Sequence, residues 1–200
     1  MKLVDIEPVL NVLENRLVVV DLRTHTYLSS YPEILAHTKK IKKYNVSSLY
    51  HLSLLVYGWM PRVLRVDSSY LEKAVEALNQ AIDCNTETFR EIDISNLAQC
   101  LHSVVGASKM LHFAKPDVFP IWDSKIQAFR GKRNGYNDMA KIENYFEFVA
   151  DVHGIISDSD FESFKSKFNT LFEKRLLKSD IEKYAIGNVR VVEAATFELA

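Results

Sequence analysis

Hydrophobic residues recur every three to four positions in four long segments of this chain. Between Leu71 and Ile82 the apolar positions are 71, 74, 75, 78 and 82, which lie on one side of a helix. The same spacing is found in segments 94–105, 139–150 and 161–172. Each such helix must bury its apolar stripe against another, so the sequence predicts an all-α protein.

Other segments give weaker helical patterns. At three places in the chain a Ser is followed three residues later by Glu, which is the spacing of a capping box at the start of a helix. These pairs are Ser69 with Glu72, Ser159 with Glu162, and Ser179 with Glu182. Further helices are predicted over 6–18, 32–43 and 47–59, and from Ser179 to Gly187. Two short runs, Leu17–Leu22 and Val189–Val192, have the composition of strands.

The chain has 200 residues, 48% of them hydrophobic, with 6 Gly and 5 Pro. This is enough apolar material for one core, so we expect a compact multi-helix domain over 1–200. A division into two helical lobes near the Gly131–Asn137 turn fits the sequence equally well.

Charge and apolar run length exclude several classes of protein. Lys and Arg number 25 against 26 Asp and Glu, which excludes a generally basic nucleic-acid coat. The longest nearly apolar stretch, Leu52–Met60, is half as long as the ~20 residues of a membrane span. Asp5, Glu7 and Pro8 interrupt any signal-peptide core, so we expect a cytoplasmic protein.

Metal and cofactor motifs are missing from the sequence. Cys84 and Cys100 have no His or Cys at ligand spacing, and we interpret both as buried thiols. The sequence also lacks the motifs of phosphate-binding loops, dinucleotide-binding folds, zinc proteases and serine hydrolases. We therefore expect neither a metal nor a cofactor.

The least ordinary segment runs from Gly106 to Asp123. Gly106-Ala-Ser-Lys109 places small residues before a lysine on a short helix, and Pro116 and Pro120 favour an extended connection behind it. Asp123 then stands at the N-cap position of another helix.

This segment resembles the helix-hairpin-helix DNA glycosylases, especially the 8-oxoguanine group. In that family a G-x-x-K turn opens a helix, and a linker of the form K-P-x-x-x-P-x-D leads to the next one. Here Lys115-Pro116-Asp-Val-Phe-Pro120 matches this linker, and two residues instead of one separate Pro120 from Asp123. The resemblance covers about 25 residues, and Ser103-Val-Val-Gly106 replaces the Leu-Pro-Gly-Val-Gly hairpin of the family.

The resemblance implies a glycosylase-like fold and a base-excision glycosylase or lyase acting on nucleic acid. Lys109 would correspond to the amine that attacks sugar C1′, and Asp123 to the carboxylate that supports the cationic transition state. The alternative is a non-catalytic helical protein-interaction module with a similar fold, in which Asp123 only caps its helix and Lys109 is exposed. The target base, the choice of DNA or RNA and the oligomeric state stay open.

Two further groups of residues are candidates for binding. The first is a run of four cations that could bind a phosphate backbone, namely Lys125, Arg130, Lys132 and Arg133. The alternative is that these residues belong to a solvated surface loop without a binding role. A second set could line a pocket, although each aromatic member is also a natural core residue. This set comprises His112, Trp122, Tyr57, Trp59 and Arg62.

Overall fold

The computed structural model describes residues 1–15, 20–60 and 62–200, and every regular element in these ranges is helical. The predicted all-α class is therefore confirmed. The α-helices are α1 Leu3–Ile6, α2 Val9–Asn15, α3 Leu22–Thr38, α4 Val46–Trp59, α5 Leu71–Asp83, α6 Ile94–Cys100, α7 Val104–Ala114, α8 Ser124–Phe129, α9 Tyr136–Met139, α10 Ile142–Ile156, α11 Phe161–Lys178 and α12 Asn188–Leu199. Short 3-10 turns occur at Ser68–Tyr70 and Phe89–Glu91.

Helix α7 is the central helix of the first half of the fold. It packs against α3, α4, α5, α6 and α10, and all its residues from Gly106 to Phe113 are buried. A helix that is enclosed on every side must be apolar or small almost throughout, as this one is. Its few polar side chains are therefore the ones whose burial needs a physical explanation.

The predicted helix over 94–105 is two helices, α6 and α7, joined by a tight turn. His102 in this turn has φ 49, a left-handed conformation that a continuous helix does not accept. The Ser103 side chain then accepts a hydrogen bond from the Gly106 backbone N–H at 2.9 Å and caps α7.

Helix α12 is the corresponding centre of the second half, in contact with α1, α2, α8, α10 and α11. The strand predicted for Val189–Val192 is wrong, because these residues form the first turn of α12. Val189, Val191 and Val192 are buried there, and this packing outweighs the modest preference of valine for strands.

The helix predicted from Ser179 to Gly187 is also wrong. Ser179 ends α11, Asp180 has φ 55, and the chain continues without regular structure to Gly187. The left-handed residue turns the chain away from the axis of α11 and allows it to cross to α12. The other capping boxes fail as well, since α5 begins at Leu71 and α11 at Phe161 without a side-chain cap.

Near the N-terminus, Glu7 and Pro8 divide the predicted helix over 6–18 into α1 and α2, and residues 16–18 lie outside the described ranges. Residues 17–19 of the strand predicted at 17–22 are likewise outside them, and Leu22 is helical. The helix predicted over 47–59 is confirmed as α4.

Helix α3 begins ten residues before the predicted segment 32–43, ends at Thr38, five residues before the predicted end, and contains Pro32. Proline has no N–H, so the Leu28 carbonyl one turn earlier loses its helical donor. The Tyr184 hydroxyl donates to this carbonyl at 2.8 Å. One residue of the segment between α11 and α12 thus compensates for a proline in α3.

The buried side chains form one continuous core that extends from Leu3 to Ala195. Segment 131–137, the proposed division between lobes, is exposed and comprises the connection after α8 and the first two residues of α9. Buried residues on both sides of it belong to the same core.

Close packing at Gly106 gives a prediction about stability. A Cβ at Gly106 would lie 2.6 Å from the hydroxyl oxygen of Tyr57, which donates a hydrogen bond to the Leu101 carbonyl and cannot easily move. We expect Gly106→Ala to lower the free energy of unfolding by about 1–2 kcal/mol in urea denaturation, because overpacking exceeds the gain in helix propensity. Gly154→Ala in α10, where a Cβ meets nothing within 4 Å, is the matched control and should be neutral or stabilising.

Candidate functional site

Lys109 lies inside the protein, with 7% of its surface exposed. It is one turn after Gly106 on α7, on a helix whose small residues allow the neighbouring chain to approach closely. In the part of the chain that the structure describes, the Lys109 amine has no hydrogen-bond or ion-pair partner. Its Nζ atom is not one of the fully enclosed polar atoms without a partner, so the amine keeps some contact with solvent. The burial of the rest of the side chain still makes the charged form costly.

Burial lowers the pKa of Lys109, because removal from water disfavours the charged form. The negative charges of Asp123 and Glu193 act against this shift, while the positive charges of Arg62 and Arg190 add to it. These four residues come from three separate parts of the chain. Lys109 is therefore the centre of a cluster of charged side chains.

Asp123 takes the position predicted for it, at the N-terminus of α8. Its side chain accepts a hydrogen bond from the Ile126 backbone N–H at 2.9 Å, which confirms the predicted cap. The residue is half-buried, and its charge acts directly on Lys109. The Asp123 carboxylate can therefore cap α8 and act on the charge of Lys109 at the same time.

The linker that carries Asp123 is held at three backbone positions. The His112 imidazole bonds to the Phe119 carbonyl at 2.7 Å, and the Tyr145 hydroxyl donates to the Pro120 carbonyl at 3.1 Å. The Trp122 backbone N–H donates to the Ser108 hydroxyl at 3.3 Å. Because residues 118–122 are all buried, Asp123 emerges from a fixed segment.

His112 is neutral in this arrangement. Burial, assisted by the charge of Arg190, lowers its pKa to about 3. Its Nδ1 faces a carbonyl and therefore carries the proton, so Nε2 accepts from the Tyr31 hydroxyl at 2.9 Å. Its role here is to join α3, α7 and the linker, as expected of a structural histidine.

Arg190 and Glu193 of α12 also belong to this cluster, although no sequence motif indicates them. Glu193 is 2% exposed and forms an ion pair with Arg190, whose guanidinium lies 4.7 Å from the centre of the Tyr31 ring. Burial raises the pKa of Glu193, and Arg190 opposes this shift. The only sequence signal was an Arg and a Glu three residues apart among valines, which the strand prediction obscured.

The predicted pocket residues lie at different depths in the fold. Trp122 is fully buried, with its indole N–H directed to Gln127, and the buried Tyr57 packs against Gly106. Trp59 is half-buried and lies against Tyr27 and Phe113. Of this set, Arg62 is exposed and close enough to Lys109 for its charge to act on it.

The four cations after Asp123 have different surroundings. Arg130 is taken up by an ion pair with Asp151 at 2.7 Å, and Lys132 is paired with Glu147 at 3.2 Å. Lys125 is exposed and lies over the Phe197 ring. Arg133 is also exposed. The loop therefore offers fewer free cations than its sequence suggests.

Residues 1–15, 20–60 and 62–200 contain no cluster of three or more His, Cys, Asp or Glu side chains that could hold a metal ion. Within the same ranges, every helix is too short or too polar to cross a membrane. Comparison with protein families, with characterised proteins and with solved structures found no match to this chain.

Proposed function

We propose that this protein is a DNA glycosylase-like enzyme that binds nucleic acid and uses Lys109 to form a Schiff base with a sugar carbon. The observation that carries the proposal is the largely buried Lys109, whose amine has no hydrogen-bond partner among the described residues and is influenced by the charge of the half-buried Asp123. An amine is a nucleophile only in its neutral form, and burial favours that form. The glycosylase-like order of Gly106, Lys109, Pro116, Pro120 and Asp123 gives independent support.

The chemistry requires a defined transfer of electrons and protons. The Lys109 nitrogen bonds to C1′ while the C1′–base bond breaks, and the base leaves with the bonding electron pair and takes up a proton from solvent. The nitrogen of this adduct then gives one of its two protons to O4′ as the C1′–O4′ bond breaks, which leaves an iminium ion and a sugar hydroxyl. The Asp123 carboxylate would stabilise the positive charge that develops at C1′.

The same residues fit poorly with the competing idea of a non-catalytic interaction module. That interpretation assigned Lys109 to the protein surface, where lysines are normally found. Lys109 is instead largely buried, which costs desolvation free energy for its charged form. An interaction module that uses only its surface gains nothing from this burial. A perturbed lysine next to a charged partner is a common feature of functional sites.

Borohydride trapping tests the catalytic proposal. An iminium between Lys109 and an abasic or damaged deoxyribose is reduced by borohydride to a stable protein–DNA adduct. We expect wild type to form this adduct and Lys109→Gln to form none, while Lys73→Gln, at an exposed position on α5, traps as wild type does. Asp123→Asn keeps a good cap and should slow trapping about 10²–10³-fold.

The difference in trapping between wild type and Lys109→Gln is interpretable when circular dichroism shows that the variant is folded. If Lys109→Gln is unfolded, Lys109→Met replaces it in the experiment. The catalytic proposal is wrong if wild type traps nothing on a panel of abasic and damaged duplexes, or if folded Lys109 variants trap as well as wild type. The non-catalytic interaction module is then the better description.

Phosphate binding can be tested separately from chemistry. Arg62 and Lys125 are exposed and lie on either side of the Lys109–Asp123 pair in the chain, so we expect them to contact the nucleic-acid backbone. Replacing both by Gln should weaken duplex binding and reduce the slope of log K against log salt by ~0.9 for each phosphate that is no longer neutralised. Arg130→Gln should mainly lower stability, because it breaks the pair with Asp151. An unchanged slope in the Arg62/Lys125 variant would exclude these residues from the interface.

A further inference from the structure

A groove lies on the outer surface between α3 and α4, and nothing in the proposed chemistry uses it. Its cavity volume is about 880 Å³. Leu54, Leu55 and Trp59 of α4 line one side, and Ile34 of α3 lines the other. The groove runs along two long helices, α3 of 17 and α4 of 14 residues.

Two leucines of this groove are exposed, whereas Ile34 on the opposite side is buried. Leu54 is 60% exposed and Leu55 38% exposed, although they are adjacent in a helix whose other face is fully buried. Gly58 also lines the groove, and a Cβ placed there would meet nothing within 4 Å. Contiguous exposed apolar surface of this kind usually marks a binding site for another molecule.

One cation, Lys40, and one carboxylate, Glu33, line the groove, together with the polar side chains of His37 and His51. Three more exposed lysines, Lys39, Lys42 and Lys43, follow at the C-terminal end of α3. None of the four lysine ammonium groups has an ion-pair partner in the described ranges. Their charges are therefore free to attract an acidic ligand.

We propose that the groove between α3 and α4 binds an acidic amphipathic helix of a partner protein. Leucines and a tryptophan of α4 fit the apolar stripe of such a helix. Lys40 in the groove and the lysines that follow the end of α3 fit its Asp and Glu side chains. The length of α4 corresponds to about 20 Å, so a partner helix of about four turns fills the groove. An apolar floor favours a peptide over a nucleic acid, whose backbone needs cations along its whole length.

Selection from a peptide library provides the test. A displayed library of helical peptides of about 16 residues, with Leu fixed at i, i+3, i+4 and i+7 spacing and other positions random, is selected on wild-type protein and depleted on Leu54→Asp. The expected result is peptides enriched in Asp and Glu. Two fluorine signals report binding to 5-fluorotryptophan-labelled protein, because the chain has two tryptophans. Trp59 lines the groove and should shift, while the fully buried Trp122 serves as internal reference.

Matched variants separate the groove from general effects. Leu54→Asp should weaken a selected peptide at least about tenfold, and Leu177→Asp, which replaces a leucine of similar exposure (57%) on α11, should not. Gly58→Glu should also weaken binding, whereas Gly58→Lys, equally bulky but of opposite charge, should retain it. Neither change meets a neighbouring atom at Cβ, so both proteins should fold.

Three outcomes would overturn the proposal. The first is a selection that yields no peptide whose binding depends on Leu54, and the second is a set of peptides enriched in Lys and Arg. The third is a DNA duplex that shifts the Trp59 signal where acidic peptides do not, which would make the groove part of a nucleic-acid surface. None of these outcomes depends on whether Lys109 is catalytic.

Discussion

The cost of placing charged groups inside a helical core is the constraint on which this structure depends. Lys109 of α7 and the Arg190–Glu193 pair of α12 are removed from water, and each would be strongly unfavourable alone. Asp123 adds a second carboxylate, so two positive and two negative groups act on one another. Arg190 and Glu193 form an ion pair with each other. Of the charged groups on α7 and α12 named here, Lys109 is the one with no ion-pair or hydrogen-bond partner among the described residues.

The position of Asp123 follows from the packing around α7. Ser108 and His112 on that helix bond to the linker, and Tyr145 of α10 bonds to it from another direction. Ser108 is small enough for the Trp122 backbone N–H to reach its hydroxyl, which brings the linker against the helix. The same features that make α7 a central packing helix therefore place a carboxylate near its lysine.

The sequence predicted the helices that have strong apolar periods and the cap at Asp123, because both depend on local spacing. The predictions from sequence were wrong where contacts between distant parts of the chain determine the secondary structure. Residues 189–192 have strand-like composition but are helical because the core surrounds them, and residues 179–187 have a capping-box pattern but must cross between two helices. The pairing of Lys109 with Asp123 as candidates came from the resemblance to glycosylases. Arg190 and Glu193 lie more than 80 residues from Lys109 and became visible only in three dimensions.

The pKa of the Lys109 amine is the most direct measure of the central claim. Proteins with ¹³C- and ¹⁵N-labelled lysine give one Cε–Nζ signal per residue, and Lys109→Gln identifies the signal in question. We expect Lys109 to titrate below the ordinary lysine pKa of about 10.4, because burial outweighs the attraction of Asp123 and Glu193. Glu193→Gln should lower it further, since a negative charge that favours the ammonium form is removed. A Lys109 pKa at or above the ordinary value would contradict the account, since the amine would then be a paired structural cation.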